Sequence, residues 1–214
     1  MFDLLNKLKQ QLFLQVFTVY LRYLIGAAFI IAAFGMGKMN GNSNLLQSMN
    51  SPINQLQPIQ QFFRVMSDSG LYWQFIGWSQ IIAGACLMTQ RLARLGALIF
   101  FGLILNIFII TLSYNFSGTP VITGLMLLAA LYLLIWDLPS FMPIIQNSFN
   151  YSPVKLTLAD HSFWMILGWV MVSSILILAL VHQHVPLQLG VVFAEGLFGF
   201  ILYIGWIGKK GTTV

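Results

Sequence analysis

Charge is scarce in this chain. Its ten Lys and Arg and five Asp and Glu together make up 7 % of 214 residues, against roughly 25 % in an ordinary soluble domain. So few charges cannot clothe a water-soluble surface of this size. That excludes a soluble enzyme, a nucleic-acid reader and a disordered tail. The net charge of +5 is therefore no footprint of nucleic acid. In a membrane protein such an excess sits in cytoplasmic loops. Cysteine is nearly missing too: Cys86 stands alone, which excludes an internal disulfide, a CxxC pair and a cysteine-based zinc site. No phosphate-binding glycine loop, HExxH or Gly-x-Ser-x-Gly occurs, and no run of acidic residues suited to an ion pump. No complete catalytic motif is present. The chain also lacks paired Gly/Pro-broken helices at matching positions, which argues against a standalone secondary transporter.

What is abundant is apolar: 58 % of the residues. Six runs approach the ~20 residues that a helix needs to cross a ~30 Å hydrocarbon core. They are about 21–38, 71–89, 92–112, 119–136, 162–181 and 187–208. The runs are continuous, not alternating, so helices are expected in place of a β-barrel. The predicted fold is an all-α membrane protein with a six-transmembrane helix bundle. Thr119-Pro120 offers an N-cap and first-turn proline for span four. Asp137-Leu138-Pro139 is expected to end that span, and Pro186 to open span six. Thr157 to Asp160 resembles a capping box ahead of span five.

Residues 1–20 read as an amphipathic interfacial helix with Leu4, Leu5, Leu8, Leu12, Val16 and Val19 on one face. One long tilted helix is the alternative. With the N-terminus cytoplasmic, the inner side collects Lys7, Lys9, Arg22, Arg91, Arg94, Lys155, Lys209 and Lys210, and the outer side only Lys38 and Arg64. This bias predicts both termini inside. The remaining segments are an outer loop 39–70, a cytoplasmic loop 139–161, a two-helix hairpin 162–208 and a cytoplasmic tail 209–214. The loop 39–70 is rich in Asn, Ser and Gln, is broken by Pro52 and Pro58, and has a short helix expected over Ile59 to Met66. A loop of this length caps a site, meets a partner or is a passive cover.

Several short motifs carry a family resemblance. Span one reads Arg22-Tyr-Leu-Ile-Gly26, then Phe34-Gly35-Met-Gly37-Lys38; span two reads Gly77-Trp-Ser-Gln80-Ile-Ile-Ala-Gly84. Arg91 and Arg94 occupy the turn to span three, and span four ends Ile135-Trp136-Asp137. Residues 20–138 resemble the DoxX-like family of small bacterial integral membrane proteins. The resemblance implies a four-helix unit over 21–138, with spans five and six appended. It departs where the family often has glutamate and this chain has Gln80. Some such proteins are linked to quinone-coupled sulfur oxidation, others to maturation of partner proteins. The implied functions are a redox-associated subunit binding a quinone or other apolar ligand, or a non-enzymatic scaffold or assembly factor. A small-molecule transporter is a third, weaker reading. The implied location is the bacterial inner membrane. A redox centre would have to come from a partner or bound cofactor.

Polar groups inside a bilayer are costly and so are candidates for function. Gln80, Asn106, Glu195 and the pair Ser173 and Ser174 are each expected roughly 9 to 13 Å below the outer ends of their spans, at 1.5 Å per residue. Lys38 is expected just above them. The arrangement suggests an outward-facing intramembrane pocket with Glu195 as its acid and Lys38, or an outer histidine, as counter-charge. Interhelical hydrogen bonding is the alternative, at about 0.6 kcal/mol per group. Gly77, Gly84, Gly102 and Gly199 flank these residues and favour close helix packing. Arg22 is a candidate for a lipid phosphate or quinone head group, with snorkelling or structural pairing as the plainer reading. His182 and His184 lack a third metal ligand and read as interfacial.

Overall fold

The computed structural model describes residues 2–39, 47, 50–145, 158–181 and 184–207. His182, Lys155, Thr157, Lys209 and Lys210 lie outside them. Among the described residues there is no β-strand. The helices are α1 (Phe2–Lys9), α2 (Leu12–Gly35), α3 (Pro58–Asp68), α4 (Leu71–Met88), α5 (Ala93–Ser113), α6 (Thr119–Ile145), α7 (Ser162–Val181) and α8 (Val185–Leu202). A π-helical turn, Tyr203–Ile207, extends α8.

Among the described residues, five helices are long and apolar enough to cross a membrane: α2, α5, α6, α7 and α8. The chain is thus a multi-pass integral membrane protein by length and composition. The outward faces carry exposed Leu24, Leu98, Leu125, Ile177 and Phe193, a surface suited to lipid. The second expected span, α4, is absent from the five. It has 18 residues, and Gln74, Ser79 and Gln80 dilute its apolar side chains.

The centre of the bundle is the pair α2 and α4. Gly26 and Gly84 let their backbones touch: a Cβ on Gly84 would meet the Gly26 carbonyl oxygen at 2.5 Å, and one on Gly26 the Gly84 oxygen at 2.8 Å. One face of the pair packs Ile25, Phe29, Ala83 and Leu87 against Phe100 and Ile104 of α5 and Leu133 of α6. The opposite face packs Tyr23, Ala27, Ile30 and Met88 against Trp164, Met171 and Ile175 of α7. So α5–α6 and α7–α8 flank a common core. Burial follows that order: 61 % of the α2 span is buried, but 17 % of the α8 span.

Three boundaries differ from expectation. The first spanning helix begins at Leu12, and only Phe2–Lys9 forms the separate N-terminal helix. Gln15 allows the early start: its amide donates to the Lys9 carbonyl and its oxygen accepts from Leu158 N–H. Helix α6 does not end at Pro139 but runs to Ile145 with Pro139 and Pro143 inside it. A spanning helix tolerates proline because neighbouring groups satisfy the freed carbonyls. The short helix of the outer loop is Pro58–Asp68, slightly longer than Ile59 to Met66. Pro186 does open α8.

Candidate functional site

The site forms where α2 ends. Gly37 has φ +70°, a left-handed conformation that suits glycine. Its N–H bonds Phe34 O at 2.8 Å, and Lys38 N–H bonds Ala33 O at 3.1 Å. This cap stops α2 and folds Lys38 back against α4. Gly77 makes the space: a Cβ there would lie 2.9 Å from Lys38 Cβ. The Lys38 ammonium then donates to Gln80 Oε1 at 2.7 Å and points towards Met36 Sδ at 3.4 Å. It sits 5.1 Å from the Trp73 ring centroid, a cation–π contact.

Helix α3 roofs this corner. Phe63 meets Trp73 and Phe116, and Phe62 meets Tyr114. A cavity of about 340 Å³ remains beneath it, lined by Lys38, Trp73, Gln74, Arg64, Asp68 and Asn50 among others. Arg64 pairs with Asp68 one turn on, at 3.2 Å, and reaches Asn50 at 3.4 Å.

Two buried donors at this corner are short of acceptors. Lys38 is 4 % exposed, and among the described residues no carboxylate is within ion-pair distance of it. Its oxygen partner is a neutral amide. Trp73 is also 4 % exposed, and its indole N–H has no acceptor. Lys38 lies beyond the end of its spanning helix, and burial pulls its pKa down to about 8, because a desolvated ammonium is costly.

The five predicted site residues do not converge. Lys38 and Gln80 meet as described. Glu195 is met by Ser174, whose hydroxyl donates at 2.6 Å, so its partner is a serine and not Lys38. Its Oε2 is buried without a partner. Ser173 and Asn106 are exposed. Depth along a helix was readable in the sequence, but direction around it was not.

Arg22 is elsewhere, in the first half of α2. It does not snorkel. It is 4 % exposed, binds Asp137 Oδ2 of α6 at 2.7 Å and donates to Gln90 Oε1 at 3.0 Å. Its Nε has no partner. The neighbouring Tyr23 hydroxyl donates to the Trp164 carbonyl of α7. This cluster ties α2, α6, α7 and the α4–α5 turn together. Sequence reasoning missed Asp137 and Gln90 as partners. The available signal was an acid, Asp137, at the inner end of one expected span and an arginine, Arg22, near the inner end of another.

Among the described residues no three His, Cys, Asp or Glu are grouped to hold a metal. Comparison of the chain with family models, curated proteins and solved structures finds no match.

Proposed function

We propose that this is a DoxX-like bacterial inner-membrane protein of six crossings, with both termini cytoplasmic, that acts as a ligand-binding subunit at its outer face. In this reading α4 is the sixth crossing. Support comes from its central place between α2 and α5 and from its continuous packing with both. The excess of lysines and arginines at the end opposite α3 supports an outward-facing α3.

The observation that carries the binding role is Lys38, buried on a cavity wall with a neutral amide as its oxygen partner. Burying an ammonium in this way is costly, so a bound acceptor that completes its shell would be retained. A quinone head group or another ligand with an apolar body offers such an acceptor, and Trp73, which lines the cavity, would flank it.

Mass spectrometry of small molecules extracted from the purified protein tests this. The wild type should carry a stoichiometric ligand that Lys38→Met loses. Equal content in both proteins, or none in either, would contradict it.

A further inference from the structure

The cavity beneath α3 has a charge balance that narrows its ligand. Arg64 and Asp68 form a pair at 3.2 Å and cancel. Lys38 is the remaining charge among the residues that line the cavity. The ammonium has three N–H groups. One is taken by Gln80 Oε1 and one faces the weak acceptor Met36 Sδ. Trp73 lines the same cavity, and its buried indole N–H has no acceptor. Gln74 adds a side-chain amide. The corner thus carries one net positive charge, and its buried donors on Lys38 and Trp73 are short of acceptors.

We infer that this cavity is a receptor for a singly charged oxyanion, a carboxylate or a phosphodiester, whose oxygens accept from Lys38 and from the Trp73 indole. A dianion would be under-neutralised by one lysine. A neutral carbonyl would satisfy hydrogen bonds but leave the buried charge uncompensated. The Arg64–Asp68 pair sits on the same cavity and adds no net charge to it. The volume of about 340 Å³ admits a small carboxylate with its organic body, or a glycerophosphate group. The inference rests on the ligand-binding reading above and replaces its quinone head group with an anion.

The two sources, a solute and a lipid head group, are distinguished by experiment. Purified full-length protein in a neutral maltoside detergent is titrated with sodium acetate, with dimethyl phosphate and with acetamide, at ionic strength held constant with chloride. Unfolding temperature and calorimetric heat are followed. Acetate or dimethyl phosphate should bind, acetamide at least tenfold more weakly, and Lys38→Met should lower anion affinity at least tenfold. Should Lys38→Met fail to fold, Trp73→Phe keeps the ring and deletes the N–H, and should weaken binding at least threefold.

The titration is repeated in nanodiscs of phosphatidylglycerol. Acetate binding there identifies a solute as the source. A phospholipid retained through purification, blocking acetate and lost in Lys38→Met, identifies the lipid. Either result supports the inference. Equal protection by acetate and acetamide, unchanged in Lys38→Met, overturns the oxyanion while a ligand pocket survives. No binding of any probe, and no retained lipid, overturns both.

Discussion

Lys38 Nζ donates to Gln80 Oε1 across 2.7 Å, joining the end of α2 to the middle of α4. Both residues are buried. The bond satisfies one ammonium proton with a neutral oxygen and leaves the charge itself unbalanced. Two things follow: a pH dependence of folding, and a demand for an anion.

The pH dependence has a definite sign. Burial lowers Lys38 from 10.5 to about 8, so the unfolded chain holds the proton more tightly. The cost of the buried charge is fully present below about pH 8. It disappears as pH rises towards 10.5, where the unfolded lysine also loses its proton. Arg64 and Asp68 are the other charged groups on the cavity. Wild type should therefore gain about 1–3 kcal/mol on Lys38→Met between pH 7 and pH 10.5. Unfolding titrations at the two pH values measure it; a constant difference would contradict it.

Arg22 and Asp137 make the opposite case, a buried charge with its counter-charge in place at 2.7 Å. Asp137→Asn should destabilise the protein by about 3–5 kcal/mol, because Arg22 is left buried and unpaired. Replacing both residues with leucine should recover more than half of that loss. A double-mutant cycle read by thermal unfolding checks it. A single-variant loss under about 1 kcal/mol would mean the pair is not dry.

Gly168 is where α7 crosses the end of α4. A Cβ there would overlap the Met88 carbonyl oxygen, a backbone atom that cannot swing aside. Gly168→Ala should cost about 3 kcal/mol or more, at the upper end of overpacking effects. Gly102 faces open space, with nothing within 4 Å of the added atom. There the same change should be neutral, or stabilise by up to about 1 kcal/mol through helix propensity. Paired melting curves would show the contrast, and equal effects would contradict the crossing.

The helices were legible because long apolar runs leave a chain few other ways to satisfy its backbone in lipid. Their polar interruptions were harder. The amphipathic pattern of residues 1–20 made the start of α2 look interfacial, yet Gln15 there bonds the Lys9 carbonyl and the Leu158 N–H, and Arg22, two residues beyond that segment, bonds Gln90 and Asp137. Pro139 read as a stop because a proline lacks a donor, but it lies within one turn of a carboxylate already fixed by Arg22. For the candidate site, spacing gave Lys38 and Gln80 similar heights, and they do meet. It also gave Glu195 and Asn106 similar heights, and these turn elsewhere, one to Ser174 and one outward. The direction of Lys38 was decided by the left-handed turn at Gly37, whose consequence cannot be seen until α4 is in place. The close approach at Gly84, in contrast, follows the expected role of small residues.

Helix α4 carries the cavity at one end and the Arg22–Gln90 cluster at the other. In a Cys86→Ser background, single cysteines at exposed Ser69 and Arg91 bracket that helix. Labelling of intact cells with a membrane-impermeant maleimide measures which side each one faces. If α4 crosses, Ser69→Cys is labelled on intact cells and Arg91→Cys only after permeabilisation. Labelling of both from the same side would contradict it, since α4 would then not cross the membrane.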